Sequence, residues 1–192
     1  GAPDASMAST WAALTTLRAL TKVYEFSSPD AGRLDAAKTP AHAGLAYPRQ
    51  PLDVAVAATF PALLALAGRL EVALTAAPAA EALHELHKLA LKCFWSATQY
   101  AIPPALADDG GLGRGWLDLL LHALRRRLPP PGGADGGGDE EGVDAPSWKS
   151  RKWLLHILLR FARRYGDPAR TPDEEPAARA MATLFKADYA PA

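Results

Sequence analysis

Helical periodicity is the feature that most constrains the fold of this sequence of 192 residues. Apolar side chains recur three or four residues apart in six stretches, which is the spacing of one face of an α-helix. No stretch shows the apolar–polar alternation of a β-strand bounded by hairpin turns. We therefore predict an all-α protein, with helices over about residues 6–26, 52–77, 79–102, 113–128, 147–165 and 174–189.

Proline- and glycine-rich segments group the predicted helices into pairs. One amphipathic hairpin cannot bury both of its apolar faces, whereas stacked hairpins bury them against one another. The pattern favours an α-solenoid of about three HEAT-type repeats, with A-helices centred near residues 16, 90 and 156; a compact bundle is the alternative. The predicted single slice contains a first pair at 6–77 with a long loop at 27–50, a second pair at 79–128, a Gly/Pro-rich acidic loop at 129–146 and a third pair at 147–190.

The composition argues against several classes of protein. The chain has 21 basic and 21 acidic residues, and this balance disfavours a dedicated nucleic-acid-binding protein. A single cysteine excludes an intrachain disulfide framework and a cysteine-rich zinc site. The longest uncharged apolar run, 54–68, is shorter than the roughly 20 residues of a membrane span, so we expect no membrane insertion. The first residues lack the basic and apolar regions of a signal peptide, and we expect none.

Sequence patterns for catalysis or cofactor binding are not found. No paired acid–base constellation, nucleophile elbow or cofactor fingerprint is present. His84 and His87 are three residues apart, not the four of a zinc-protease helix, and with Cys93 they fix no third ligand, so we interpret both as ordinary helix-surface histidines. The glycine-rich residues 110–115 lack a phosphate-loop signature and are interpreted as a flexible turn. We expect no enzyme, no metal and no cofactor.

Residues 146–168, PSWKSRKWLLHILLRFARRYGDP, are the most distinctive segment. Two tryptophans five residues apart are combined with an apolar helix side and a stripe of polar residues. The segment resembles a signature of the importin-7/importin-8 branch of the importin-β (karyopherin-β) superfamily, and weaker matches extend over about residues 11–190. The signature residues include Trp148, Lys149, Lys152, Trp153, His156, Arg160, Arg164, Tyr165 and Gly166.

The resemblance implies an internal fragment of a longer HEAT-repeat nuclear transport receptor with an armadillo-type fold. Such receptors bind cargo proteins, including basic ones, contact Phe-Gly nucleoporins in the nuclear pore, and release cargo when Ran-GTP binds. It implies nuclear protein import as the function, with shuttling between nucleus and cytoplasm across the nuclear envelope and no direct contact with nucleic acid. The alternative is a generic α-helical scaffold or protein-interaction module without a Ran-dependent transport role.

Two charged stretches are candidate partner-binding sites. An acidic stretch in loop 129–146 could attract a basic surface of Ran or of cargo, or could be only a solvated linker. Its residues are Asp135, Asp139, Glu140, Glu141 and Asp144. The basic stripe that includes Lys149, Lys152 and Arg160 could meet this loop or an acidic partner. We favour the interpretation that the stripe pairs with carboxylates of neighbouring repeats.

Aromatic and arginine residues give two further hypotheses. The tryptophans could help to form Phe-Gly pockets between adjacent helices, although ordinary packing between helices is favoured for any one of them. The arginine run at 125–127 could mimic a localisation signal, but we favour the interpretation that its cations suit a helix C-terminus. The tryptophans concerned are Trp11, Trp95, Trp116, Trp148 and Trp153.

Overall fold

The computed structural model describes residues 5–23, 50–99, 102–107, 111–127, 146–165 and 179–183. Within these ranges the chain is helical apart from short connections, and it contains no strand. The all-α prediction is confirmed. The helices are α1 (Ala5–Val23), α2 (Gln50–Ala76), α3 (Glu81–Ala97), α4 (Pro104–Ala107), α5 (Leu112–Arg125) and α6 (Pro146–Tyr165), and residues 179–183 are also helical.

The helices stack in two layers. In the first layer α3 packs against α1 and against α6, so it lies between them. In the second layer α2 packs against α5, and both α2 and α5 also contact helices of the first layer. Lateral stacking of helices within two layers is the architecture of an α-solenoid. The predicted A-helices correspond to α1, α3 and α6, while the number of repeats stays a prediction.

An aromatic cluster joins the two layers. The ring centroid of Phe94 in α3 lies 4.5 Å from that of Trp116 in α5, 6.2 Å from that of Phe60 in α2 and 5.9 Å from that of Phe161 in α6. All four side chains are buried. Burial of an aromatic side chain contributes about 1.5–3 kcal/mol, and tilted or offset ring pairs add to this. The cluster therefore fixes the relative positions of four helices.

Glycines set the junction between α4 and α5. Gly111 has a φ of 77°, which is the left-handed conformation that glycine adopts without strain. A Cβ atom at Gly113 would clash with the backbone carbonyl oxygen of Leu106, so glycine permits the close approach of these two segments. The prediction of a flexible turn at 110–115 is wrong for residues 112–115, because they form the first turn of α5.

The observed helix bounds differ from the predicted ones mainly around α3. This helix ends at Ala97 instead of near residue 102, and the Thr98 hydroxyl donates a hydrogen bond to the Phe94 carbonyl oxygen at 2.8 Å. The single turn α4 begins at Pro104 and was not predicted; proline suits a first helical position because its missing N–H has no partner there. The predicted helical residues 24–26, 100–101, 128, 174–178 and 184–189 lie outside the described ranges.

Helix α2 is unusually apolar. By length and composition, Pro51–Ala76 could cross a membrane, although a core helix passes the same test. It runs without interruption through Pro61. Phe60 and Leu74 are fully buried within the described part of the protein, and so is the carboxylate-bearing side chain of Glu71. These contacts pack one side of α2 against other helices, but Val54 and Val72 are 65% and 72% exposed, so packing accounts for only part of its apolar composition.

Candidate partner-binding surface and the polar network beneath it

Helix α6 divides the distinctive segment between two faces. Leu154, Ile157, Phe161 and Tyr165 face inward and are buried. Their spacing of three and four residues places them on one side of the helix. Although the whole chain has no net charge, α6 is strongly basic and has no acidic residue. Its cations are Lys149, Arg151, Lys152, Arg160, Arg163 and Arg164.

Cations and aromatic rings form the seam between α6 and α3. The Arg160 guanidinium carbon lies 3.0 Å from the centroid of the Trp95 ring, and Lys92 Nζ lies 5.1 Å from that of Trp153. The two indoles meet edge to face at 5.7 Å, and the His156 ring lies 6.1 Å from Trp95. Each cation–π contact contributes about 0.5–2 kcal/mol. The seam therefore stabilises the stacking of neighbouring helices in the first layer.

The outward face of α6 combines apolar and basic side chains. Leu155 and Leu159 are each 48% exposed, and Trp148 is 37% exposed. Together with neighbouring cations they line a shallow cavity of about 540 Å³, here named the α6 groove. Its lining is mostly apolar. The lining residues are Trp148, Lys149, Arg151, Lys152, Leu155, His156 and Leu159.

Beneath α6 lies a buried polar network formed by Glu71, His87, Arg126, Ser150 and Arg151. Arg126 Nε donates a hydrogen bond to Glu71 Oε2 at 3.0 Å, and its Nη2 donates to Oε1 at 3.4 Å. Arg126 lies at the end of α5 and Glu71 lies in α2, so this two-pronged ion pair joins the helices of the second layer. Such forked pairs are stronger and more directional than single contacts.

The same network reaches α6 through two side chains. His87 Nδ1 and Ser150 Oγ share a hydrogen bond of 2.7 Å between α3 and α6. The Arg151 guanidinium donates to the backbone carbonyl oxygens of Leu124 and Arg126. These carbonyls belong to the last turn of α5 and its C-cap, where a helix leaves acceptors without internal partners. Arg151 therefore caps α5 from a neighbouring helix.

Burial determines the protonation state of both histidines in α3. Desolvation, with the Arg126 guanidinium as a smaller cause, lowers the pKa of His87 to about 3. Desolvation also lowers the pKa of His84, and the hydrogen bond from its Nε2 to the Pro78 carbonyl oxygen at 2.8 Å acts in the opposite direction. His87 is consequently neutral at physiological pH. The prediction that His84 and His87 are surface residues is wrong, because each is only 1% exposed.

The buried network contains a serine, a histidine and a carboxylate in contact, as a hydrolase triad does. The geometry of Ser150, His87 and Glu71 differs from that of such a triad. His87 Nε2 lies 3.1 Å from Glu71 Oε1, in an approach not aligned for a hydrogen bond. In a catalytic triad the Nε2 atom faces the serine, whereas here Nδ1 does. Each side chain is at most 2% exposed, and a histidine with a pKa near 3 is a poor base at neutral pH. We assign the three side chains a structural role.

The structure describes only part of the predicted partner-binding set. Lys149 and Lys152 are exposed, whereas Arg160 is half-buried against Trp95. Residues 135, 139, 140, 141 and 144 of the acidic stretch, and the signature residue Gly166, lie outside the described residues. Arg164 Nη1, also in the signature, donates a hydrogen bond to the Gln99 carbonyl oxygen at 3.3 Å.

In the described part of the chain, no group of three His, Cys, Asp or Glu side chains could hold a metal ion.

The tryptophans have different environments. Trp116 is fully buried in the aromatic cluster, and Trp95 and Trp153 pack in the seam between α3 and α6. Trp11 and Trp148 keep 43% and 37% of their surface exposed. Packing between helices therefore accounts for the first three, whereas the last two present aromatic surface at opposite ends of the first layer.

Sequence reasoning missed the buried polar network. Glu71 was not singled out, and Arg126 was interpreted only as a helix-end cation. One signal was present: Glu71 stands among leucines and alanines in the most apolar predicted helix, where an acidic residue on the packed side needs a partner. Its partner Arg126 is 55 residues away, so sequence spacing could not identify it.

Stacked helices in two layers define the class of this protein as an all-α solenoid. Over 181 residues, 94% of the chain, it is 30% identical to the importin β-like SAD2 homolog of Arabidopsis thaliana. Importin-8 of Homo sapiens and importin-8 of Mus musculus are each 30% identical over 89 residues, 46% of the chain. The matched segments are 15% of the plant protein and 8% of each importin-8, so the chain spans a small part of these relatives. These similarities support a relation to the importin-β superfamily.

No protein-family model matches the chain, and no solved structure matches it.

Proposed function

We propose that this chain is a segment of a nuclear transport receptor of the importin-β superfamily, related to the importin-7/importin-8 branch. The observation that carries the proposal is the similarity to an importin β-like protein along 94% of the chain. The two-layer helical stack agrees with it, because a solenoid offers an extended surface to protein partners. The receptor acts by binding and release, without catalysis or a cofactor.

The proposed partners are those of importin-type receptors: cargo proteins, Phe-Gly nucleoporins and Ran-GTP. The corresponding location is the nucleus and cytoplasm, with passage through the nuclear pore. Each helix pair in a solenoid contacts mainly its neighbours, so small rotations between pairs add up to a change of curvature. Such a change is the proposed means by which Ran-GTP binding leads to release of cargo.

A segment exchange tests the proposal in the setting of a whole receptor. The matching segment of the Arabidopsis relative is replaced by this chain, and import of a cargo carried by the unmodified relative is measured in permeabilised cells. We expect nuclear accumulation of the cargo that depends on Ran-GTP. The matched control carries Phe94→Asp, which places a charge in the aromatic cluster and should abolish import through misfolding.

Two results would contradict the proposal. One is a folded exchange protein, shown by circular dichroism, that neither imports cargo nor responds to Ran-GTP. The other is cargo binding that is the same with Ran-GTP and Ran-GDP, which is the behaviour of a scaffold.

A further inference from the structure

The outward face of α6 has two properties that together define a kind of ligand. Leu155 and Leu159 are half exposed, and burial of such side chains against a partner would remove apolar surface from water. Lys149 and Lys152 border them, and among the residues that the structure describes, none that lines the α6 groove is acidic. Charged residues beside an apolar centre are the usual composition of a protein–protein contact.

We propose that the α6 groove docks an acidic peptide segment of a partner protein. An apolar side chain of the peptide packs between Leu155 and Leu159, and its carboxylates face Lys152. The basic residues in the groove lining and the absence of acids from α6 give the charge complementarity. This inference is independent of the transport role, because it concerns the binding of a peptide to a described surface.

Other occupants fit the surface less well. Nucleic-acid binding relies on phosphate contacts and stacked bases, whereas the centre of the α6 groove is aliphatic. A second copy stacked head to tail would place its α1 against α6. That helix also has no acid and carries Arg18 and Lys22, so like charges would oppose the contact. An acidic peptide avoids both difficulties.

The test measures binding of a fluorescein-labelled synthetic peptide to the whole chain by fluorescence anisotropy. The peptide is rich in glutamate and contains one Leu-Phe pair; one control peptide has these two residues replaced by serine, and another has glutamine for every glutamate. We expect saturable binding of the first peptide and much weaker binding of both controls. The affinity should fall when salt is raised from about 50 mM to about 300 mM, because ions screen the exposed charges.

Variants assign the binding to the α6 groove. Lys152→Glu should weaken binding about fivefold or more, since it exchanges attraction for repulsion. The double variant Leu155→Ser/Leu159→Ser should weaken binding about tenfold, because it removes the apolar contact. Arg163→Glu is the matched charge control on the same helix outside the groove, and Val72→Ser is the matched apolar control on α2. Both controls should bind within about twofold of the unchanged chain.

The proposal is overturned if all four variants bind the peptide alike, or if Arg163→Glu weakens binding as much as Lys152→Glu. It is also overturned if polyuridylate, or vesicles containing phosphatidylserine, bind the chain more tightly than the peptide does and Lys152→Glu weakens that binding. Sedimentation gives the remaining outcome: a dimer that dissociates in the double leucine variant, with no peptide binding, would assign the face to a second copy.

Discussion

Replacing Glu71 with glutamine should destabilise the protein far more than the loss of a surface ion pair would. Glu71 is 2% exposed, and its partner Arg126 is 7% exposed. Glu71→Gln keeps the shape of the side chain but leaves the Arg126 guanidinium buried without its countercharge. Breaking one side of a buried ion pair costs about 3–5 kcal/mol. Glutamine can still accept one hydrogen bond, so we expect the low end, about 3 kcal/mol.

Urea unfolding followed by circular dichroism measures this loss as a change in the free energy of unfolding. Glu85→Gln is the matched control, because Glu85 forms a partly exposed ion pair with Lys88 in α3. The control should change stability by less than about 1 kcal/mol. Removing both charges of the buried pair, in Glu71→Met/Arg126→Leu, should bring stability back to within about 1 kcal/mol of the unchanged protein.

This double variant distinguishes the two possible sources of the effect. If the cost comes from a stranded charge, the single variants Glu71→Met and Arg126→Leu are each harmful and their combination is not. If Glu71→Gln costs less than about 1 kcal/mol, or if the double variant shows the sum of both single losses, the reasoning is refuted. Should either single variant fail to fold, the stability of the double variant still decides the question.

Three further outcomes follow from buried groups and close packing. Because the pKa of His87 is about 3 in the folded protein and ordinarily 6.5, the unfolded chain takes up the proton first as the pH falls. The contribution of neutral His87 to stability is therefore complete above pH 6.5, and below that pH it falls by up to about 1.4 kcal/mol per pH unit. Urea unfolding at several pH values should show a smaller slope for His87→Gln. Gly113→Ala should lower stability by about 1–3 kcal/mol, because its Cβ clashes with the backbone of Leu106. Gly68→Ala should raise stability by about 0.5–1 kcal/mol, because its Cβ meets nothing within 4 Å. Thermal melting compares the two variants. Burial raises the pKa of the Cys93 thiol to about 12, so thiol reagents at neutral pH should modify it only as fast as the protein opens, and rapid modification of folded protein would contradict this.

The elements of the fold were largely readable from the sequence, because each packed helix repeats its apolar residues with the helical period. Their order in space was less readable. An apolar stripe shows that a helix is covered on one side but not which helix covers it, so the solenoid and the compact bundle both fitted the pattern. The contacts of α3 with α1 and α6 decide between these arrangements. The short α4 was missed because a single turn offers too few residues for a periodic pattern.

The basic stripe on α6 was only partly understood from its spacing. Lys152 and Arg160 are eight residues apart, which at 3.6 residues per turn separates them by about 80° around the helix. The structure places Lys152 in the solvent and Arg160 on the ring of Trp95, while the pairing of the stripe with carboxylates of neighbouring repeats stays a prediction. An aromatic face can take the part of a carboxylate for arginine, and sequence spacing does not distinguish the two.

Helix α6 is held from inside in a way that determines what it presents outside. Ser150 near its start takes part in the buried polar network, and Arg160 near its end stacks on the neighbouring helix. Both contacts require one orientation of the helix about its axis. A shift of the helix by one residue would turn either side chain away by about 100°. A helix held only by aliphatic contacts tolerates small rotations more easily than one held by directional contacts. The consequence of the network is therefore structural: Lys152 and Leu155 keep one orientation toward the solvent.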